Sequence, residues 1–333
     1  IPRSTQPVPL DTSKNYSWKI SNPEDVANFS AVGYWFGKLL YDKLKVPIGL
    51  INVSYGGSPV EAFMGAASLK GYDFGLPNPK DTARLSNKTP TVLYNGMMYP
   101  LIGYGIKGFI WYQGESNADR PLQYETLFPE FVQMLRSQFG YGDFPFYYVQ
   151  IAPFDYNRNK KQGDTLINSA WLRDAQRKAL DKIPNSGMAV TMDIGDAEFI
   201  HPREKELIGK RLALMALAKT YSYKGFASES PLYETMTIKE GTALIRFKNA
   251  PTGLTSYGKP LLHFEIAGSD KKFYPANAKL VNGGVEVSAP EVKSPVAVRY
   301  AFKDYVAGDL FNTAGFPASS FRTDDWDIET AIK

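Results

Sequence analysis

In the stretch 25–45, DVANFSAVGYWFGKLLYDKLK, the apolar residues Val26, Phe29, Val32, Phe36, Leu39 and Leu40 recur at helical spacing. Pro23 and Asp25 stand at its start, where a fixed φ and a carboxylate both favour helix initiation. The run PIGLINVS (47–54) is too short for a helix and rich in Ile, Leu and Val, so it predicts a buried strand ending at Tyr55-Gly56-Gly57. The pattern then repeats, with apolar runs at 106–112 (IKGFIWY), 145–152 (PFYYVQIA) and 188–193 (MAVTMD). Helical periodicity covers 123–139, 166–183 and 203–220. Strands alternating with helices predict an α/β domain over 1–224, its parallel sheet covered on both faces. The character changes near residue 225. Short alternating runs such as TMTIK, TALIRF and VAVRYAF, separated by Gly241, Gly258 and Asn282-Gly283-Gly284, predict a small antiparallel β region over 225–333.

Three predicted strands end in polar, glycine-containing segments: Ser54–Ser58, Gln113–Asn117 and Asp193–Pro202. In a doubly wound sheet, ligands bind outside the carboxyl ends of the strands, so these loops mark the expected site. Each meets a need of acyl transfer. Gly56 and Gly57 let backbone N–H groups approach a developing oxyanion, and the Gln113 amide offers a further donor. His201 suits the role of base and then acid, with Glu198 or Asp196 as the carboxylate that orients it. His263 lies in the β run LLHFEIA and reads as structural. The loops 70–90 and 153–165, rich in Pro, Asn, Asp and Lys, are expected to wall a cleft.

The 44% apolar and 22% charged composition belongs to an ordinary globular chain, and no run approaches the ~18 apolar residues of a membrane span. A net charge of +4 without a Lys/Arg run gives no nucleic-acid track. With no cysteine, two histidines and no metal-binding spacing, neither a metal nor a cofactor is expected. Gly103-Tyr-Gly-Ile-Lys-Gly108 spells a dinucleotide fingerprint, but it precedes a strand instead of following one, which excludes that reading. N-x-S/T sequons begin at Asn15, Asn28, Asn52 and Asn87, the one at Asn52 falling inside a predicted strand. No initiator Met or signal segment opens the chain, so a piece upstream of Ile1 is expected.

The segment VLYNGMMYPLIGYGIKGFIWYQGESNA (92–118) is similar throughout to the most characteristic stretch of sialate O-acetylesterases, in the SGNH/GDSL hydrolase superfamily. IGLINVSYGGSPVEAFM (48–64) resembles that family's Gly-Gly-Thr segment, with Ser58 for Thr, and MDIGDAEFIHPREKELIGKRLALMAL (192–217) its catalytic-histidine segment. The likeness runs from about Val32 to Trp326. It implies an SGNH-type three-layer α/β/α fold and cofactor-free removal of O-acetyl groups from carbohydrate, in a secreted or periplasmic setting. Sialic acid is the first expected substrate and acetylated plant glycans such as acetylxylan the second. By matched position His201 is the base, Gln113 with the Gly56 and Gly57 amides forms the oxyanion hole, and Asn95, Glu115 and Asn117 shape the substrate site. Two departures stand out. The family's Gly-Gln-Ser-Asn nucleophile block, on the first strand of the sheet, has no counterpart here, so an N-terminal fragment is expected to complete the sheet and supply the serine. Phe199 also stands where the family has an Asp two places before the histidine, leaving Glu198 as the expected third member. The rival expectations are a carbohydrate-binding homologue without catalysis and a structural subunit.

Overall fold

The computed structural model describes residues 1–12, 16–81, 83 and 85–326. Asn15, with its sequon, lies outside them, as do residues 327–333 of the β region. The chain divides into two compact units. The first holds 1–151, 178–189 and 204–228; the second holds 152–177, 190–203 and 229–333. The β-rich second unit thus draws in two excursions from the first 224 residues.

The first unit is built on a parallel sheet of β1 (Phe109–Trp111), β2 (Phe146–Val149) and β3 (Ser186–Ala189), in that order. Its helices are the single turn α1 (Pro23–Val26), α2 (Ala31–Leu44), α3 (Pro121–Phe139), the last turn of α4 (Ala170–Lys182) and α5 (Lys205–Lys219). Strand alternation decides which helix covers which face. Phe146 and Tyr148 meet Phe128 of α3, with ring centroids 6.0 and 4.9 Å apart. Tyr147 points the other way and hydrogen-bonds Thr220 at the end of α5, 2.8 Å away. The result is three layers, α/β/α. On the α5 side α2 packs very closely, since a Cβ on Gly209 would stand 2.7 Å from the Val32 carbonyl oxygen and the Trp35 Cβ.

Two expectations are corrected. The helix predicted over 25–45 is interrupted, because Ser30 caps α2 by accepting from the Gly33 N–H at 3.1 Å. The segment 47–54 is a half-exposed extended run without a ladder partner among the described residues, not a buried strand. An apolar run becomes a strand only beside another strand, and none among the described residues flanks it.

In the second unit the strands are antiparallel. β4 (Leu232–Lys239), β5 (Thr242–Lys248), β9 (Asn277–Val281) and β10 (Gly284–Ser288) form one sheet in the order β4-β5-β10-β9. β7 (Phe264–Ala267), β8 (Phe273–Pro275), β11 (Ala297–Tyr300) and β13 (Phe321–Arg322) form a second, and β6 (Leu254–Thr255) pairs with β12 (Phe311–Asn312). The β4–β5 hairpin turns through Glu240 and Gly241 at φ +50° and +76°, the two-residue geometry that matches strand twist. A buried ionic cluster ties the unit together. Asp324 accepts from Arg299 Nε and Nη2 at 2.9 Å each and from Arg322 Nη1 at 3.1 Å, while Arg322 Nε donates to Asp174 at 3.2 Å. Among the described residues no helix is long and apolar enough to cross a membrane.

Candidate active site

In the first unit, β1 ends at Trp111 and delivers Gln113, 8% exposed, to the carboxyl edge of the sheet. The segment then tightens into a single turn, Glu115–Asn117, after Gly114. Gln113 Nε2 donates to Asn117 Oδ1 at 2.7 Å and to the Ser58 carbonyl at 3.3 Å, and Tyr124 donates its hydroxyl hydrogen to Gln113 Oε1 at 3.2 Å. The Gln-Gly-Glu-Ser segment and the Gly-Gly-Ser turn are therefore one assembly.

That turn is open on one side and clasped on the other. Gly57 holds φ +73°, a left-handed conformation that strains most side chains, and a Cβ on either Gly56 or Gly57 would meet nothing within 4 Å. Neither amide N–H donates a hydrogen bond among the described residues. From the loop 70–90, Asn87 Nδ2 donates to the Gly56 carbonyl at 3.0 Å and to Ser58 Oγ at 2.9 Å, and Ser58 Oγ donates to the Tyr55 carbonyl at 2.7 Å. Two backbone donors left unengaged among the described residues, on a clasped turn, suit an oxyanion.

Behind the turn lies a carboxylate that periodicity did not single out. Glu61 is 3% exposed and accepts from Asn117 Nδ2 at 2.9 Å and from Arg120 Nη2 at 2.7 Å. Its signal in the sequence is a lone charge in the apolar run PVEAFM. Asn117 is fully buried, and its Oδ1 also accepts from the Val60 N–H at 3.0 Å. Asn95 faces the N-terminal segment, donating to the Gln6 carbonyl at 3.1 Å while its own carbonyl accepts from Leu10 N at 3.0 Å. Burial pushes the Glu115 carboxyl above its usual range, against its own backbone N–H and the charge of Lys205. Burial likewise lowers Lys205, whose ammonium lies 5.3 Å from the Tyr112 ring centroid.

A cavity of about 500 Å³ opens in the same unit between the extended run 47–53 and residues 104–110, with Phe36, Leu40, Leu50, Phe109 and Ile110 among its walls. Among the described residues β1 pairs with β2 alone, and Phe109 and Ile110 of β1 line this cavity.

The second unit carries His201 and Glu198. His201 is exposed; its imidazole makes no hydrogen bond among the described residues and stands perpendicular to the Phe199 ring, 6.0 Å between centroids. Glu198 pairs with Arg158 at 2.7 Å, both side chains being largely exposed, and the structure does not join it to His201. Asp196 Oδ1 accepts from the N–H groups of Glu198 and Phe199 at 2.7 and 3.2 Å, which shapes the turn before the histidine. The loop 153–165 is held by Asp304, which accepts from Tyr156 N at 2.7 Å and Asn157 Nδ2 at 3.2 Å. His263 lies 3.8 Å from Asp309, just ahead of β7.

Open backbone donors and a buried amide at the carboxyl edge of a parallel sheet are the equipment of an α/β hydrolase. The comparisons narrow the class. The family described as "Carbohydrate esterase, sialic acid-specific acetylesterase" matches residues 5–218, and this chain belongs to it. The sialate O-acetylesterase of Homo sapiens is 36% identical over 225 residues, covering 63% of this chain and 42% of the relative. That of Mus musculus is 32% identical over 258 residues, covering 65% and 47%. A crystal structure of a carbohydrate acetylesterase from Xanthomonas citri superposes with a TM-score of 0.87 at 36% identity, covering 98% of this chain and 72% of that one. This chain thus spans less than half the length of these two curated relatives.

Proposed function

We propose that this chain is a large C-terminal part of a serine-type O-acetylesterase of the SGNH kind, acting on acetylated carbohydrate, with O-acetylated sialic acid as first substrate and acetylxylan-like glycans as second. The cavity beside β1 carries the reading. A strand edge unpaired among the described residues on one side and an extended apolar run on the other form the walls that a further parallel strand would occupy, and in this family's pattern the nucleophile sits at the end of that strand. The missing segment would supply the serine, as part of the same polypeptide or as a fragment held in the slot.

The chemistry then follows the serine-hydrolase scheme. The serine Oγ attacks the acetyl carbonyl while His201 takes its proton, and the oxyanion is met by the Gly56 and Gly57 N–H groups and the Gln113 amide. Collapse breaks the C–O bond to the sugar, and His201 returns the proton to the departing hydroxyl. Water, deprotonated by His201, releases acetate and regenerates the serine. Glu198 would orient the imidazole after leaving Arg158, and Asn95, Glu115 and Asn117 would support the substrate side. The family resemblance supports a secreted or periplasmic setting for this work.

Aryl-acetate hydrolysis by the chain alone, by the chain with its upstream segment restored, and by that protein carrying His201→Ala tests the reading. Activity only with the segment, lost in His201→Ala, is the expected result. Full activity of the bare chain would overturn the missing-segment part. A restored protein that binds acetylated sugar without hydrolysing it would replace an esterase by a binding protein.

A further inference from the structure

The hydrogen bonds around Gln113 have a direction, set by the Glu61 carboxylate together with the Val60 N–H and the Ser58 carbonyl. An ionised carboxylate only accepts, so the Asn117 amide must turn its NH2 towards Glu61, as the 2.9 Å contact records. That leaves Asn117 Oδ1, an acceptor only, for the Val60 N–H at 3.0 Å and for Gln113 at 2.7 Å. Gln113 must therefore present its own NH2, which also reaches the Ser58 carbonyl at 3.3 Å, and turn its Oε1 to the Tyr124 hydroxyl at 3.2 Å. From Glu61 to Tyr124 the orientations agree, and the Val60 N–H and Ser58 carbonyl favour the same sense.

We infer that Glu61 and its partner Arg120 are positioning residues that aim the Gln113 NH2 at the Gly-Gly-Ser turn; the catalytic consequence rests on reading Gln113 as an oxyanion donor. Arg120, 34% exposed, clamps the carboxylate at 2.7 Å and is itself braced by Gln123 Oε1 at 2.6 Å. The weaker of the two Gln113 donations, to the Ser58 carbonyl, is the one a substrate oxyanion would take over. Glu61→Gln preserves shape but adds a donor. The amide sequence then has two competing senses, one of which points Gln113 Oε1, a repulsive acceptor, at the oxyanion.

The test uses the chain labelled with 15N-glutamine, the Gln113 NH2 signal being assigned by its loss in Gln113→Glu. The expected result is a slowly exchanging pair in the native protein that shifts and exchanges at least tenfold faster in Glu61→Gln. Arg120→Ala, on the exposed side of the pair, should raise exchange severalfold without unfolding and serves if Glu61→Gln does not fold. In the protein carrying its nucleophile segment, Glu61→Gln should lower kcat by about 10²-fold with KM within about threefold, the signature of a lost transition-state donor. Gln113 signals unmoved in either variant overturn the inference, as does an unchanged kcat in a protein that hydrolyses aryl acetate. If that protein hydrolyses no ester, the esterase reading fails, and the exchange data still decide whether Glu61 aims Gln113.

Discussion

Replacing Gly57 by alanine separates the backbone demand of the Gly-Gly turn from its packing. A Cβ at Gly57 would meet nothing within 4 Å, so no clash contributes. The cost is the left-handed backbone, about 1–2 kcal/mol for an L side chain. Gly56 is equally open but takes no positive φ. Alanine there restricts only the unfolded chain and stabilises by about 0.4–1 kcal/mol. Because the same restriction acts at Gly57, the two variants should differ by about 1–2 kcal/mol, with Gly57→Ala the weaker protein. At a urea slope of about 3 kcal/mol/M, their midpoints fall roughly 0.3–0.7 M apart. Gly57→Asn should recover much of the loss, because Asn tolerates this region. Urea unfolding followed by far-UV circular dichroism on the three proteins measures it. Coincident midpoints for Gly56→Ala and Gly57→Ala would refute the reasoning, because steric space alone cannot distinguish the two sites.

Asp324→Asn should cost about 3–5 kcal/mol in thermal unfolding, since it leaves Arg299 buried with an uncompensated charge while Arg322 keeps its pair with Asp174; a loss under about 1 kcal/mol would reject this. Burial alone would raise the Asp324 pKa, but hydrogen bonds and charge from Arg299 and Arg322 outweigh it and hold the carboxyl below its usual range. Its contribution is therefore complete above about pH 4 and is lost as pH falls through the lowered folded value, so wild type and Asp324→Asn should converge in acid. Glu115 has the opposite sign. Burial raises its pKa, so the charged form opposes folding at neutral pH. Glu115→Gln should raise the urea midpoint at pH 7, and the gain should vanish towards about pH 4. An unchanged gain at low pH would show that charge is not its origin. The exposed Arg158–Glu198 pair predicts that Arg158→Ala stays within about 0.5 kcal/mol of wild type, which thermal unfolding checks directly.

The α/β core was legible because the apolar periods of α2, α3, α5 and the three strands survive in the fold, as do the turn residues of the β region. The run 47–54 shows where periodicity stops: it records that a segment is apolar, and a strand also needs a neighbour. Of the expected site residues, Gln113, Gly56, Gly57 and Asn117 meet in one assembly through bonds spanning more than fifty positions, such as Gln113 to Ser58. The buried Glu61 was not legible as a site residue, because its partners Asn117 and Arg120 lie 56 and 59 positions away. The Asn95 side chain instead binds the Gln6 carbonyl, and Glu198 binds Arg158. Both contacts depend on side-chain direction, which spacing does not encode.

The Asn87 clasp bears on how such a polypeptide matures. The nitrogen that ties the Gly-Gly turn is the atom on which an N-linked oligosaccharide would be built, and Asn87-Lys88-Thr89 satisfies the acceptor rule. Attachment replaces one of its two hydrogens, so the bonds to Gly56 and to Ser58 Oγ cannot both survive. In a glycosylating compartment, a sugar on Asn87 and the full two-bond clasp exclude one another. Closure of the turn before the transferase arrives shields the residue, and arrival of the transferase first leaves the turn loose for the life of the molecule.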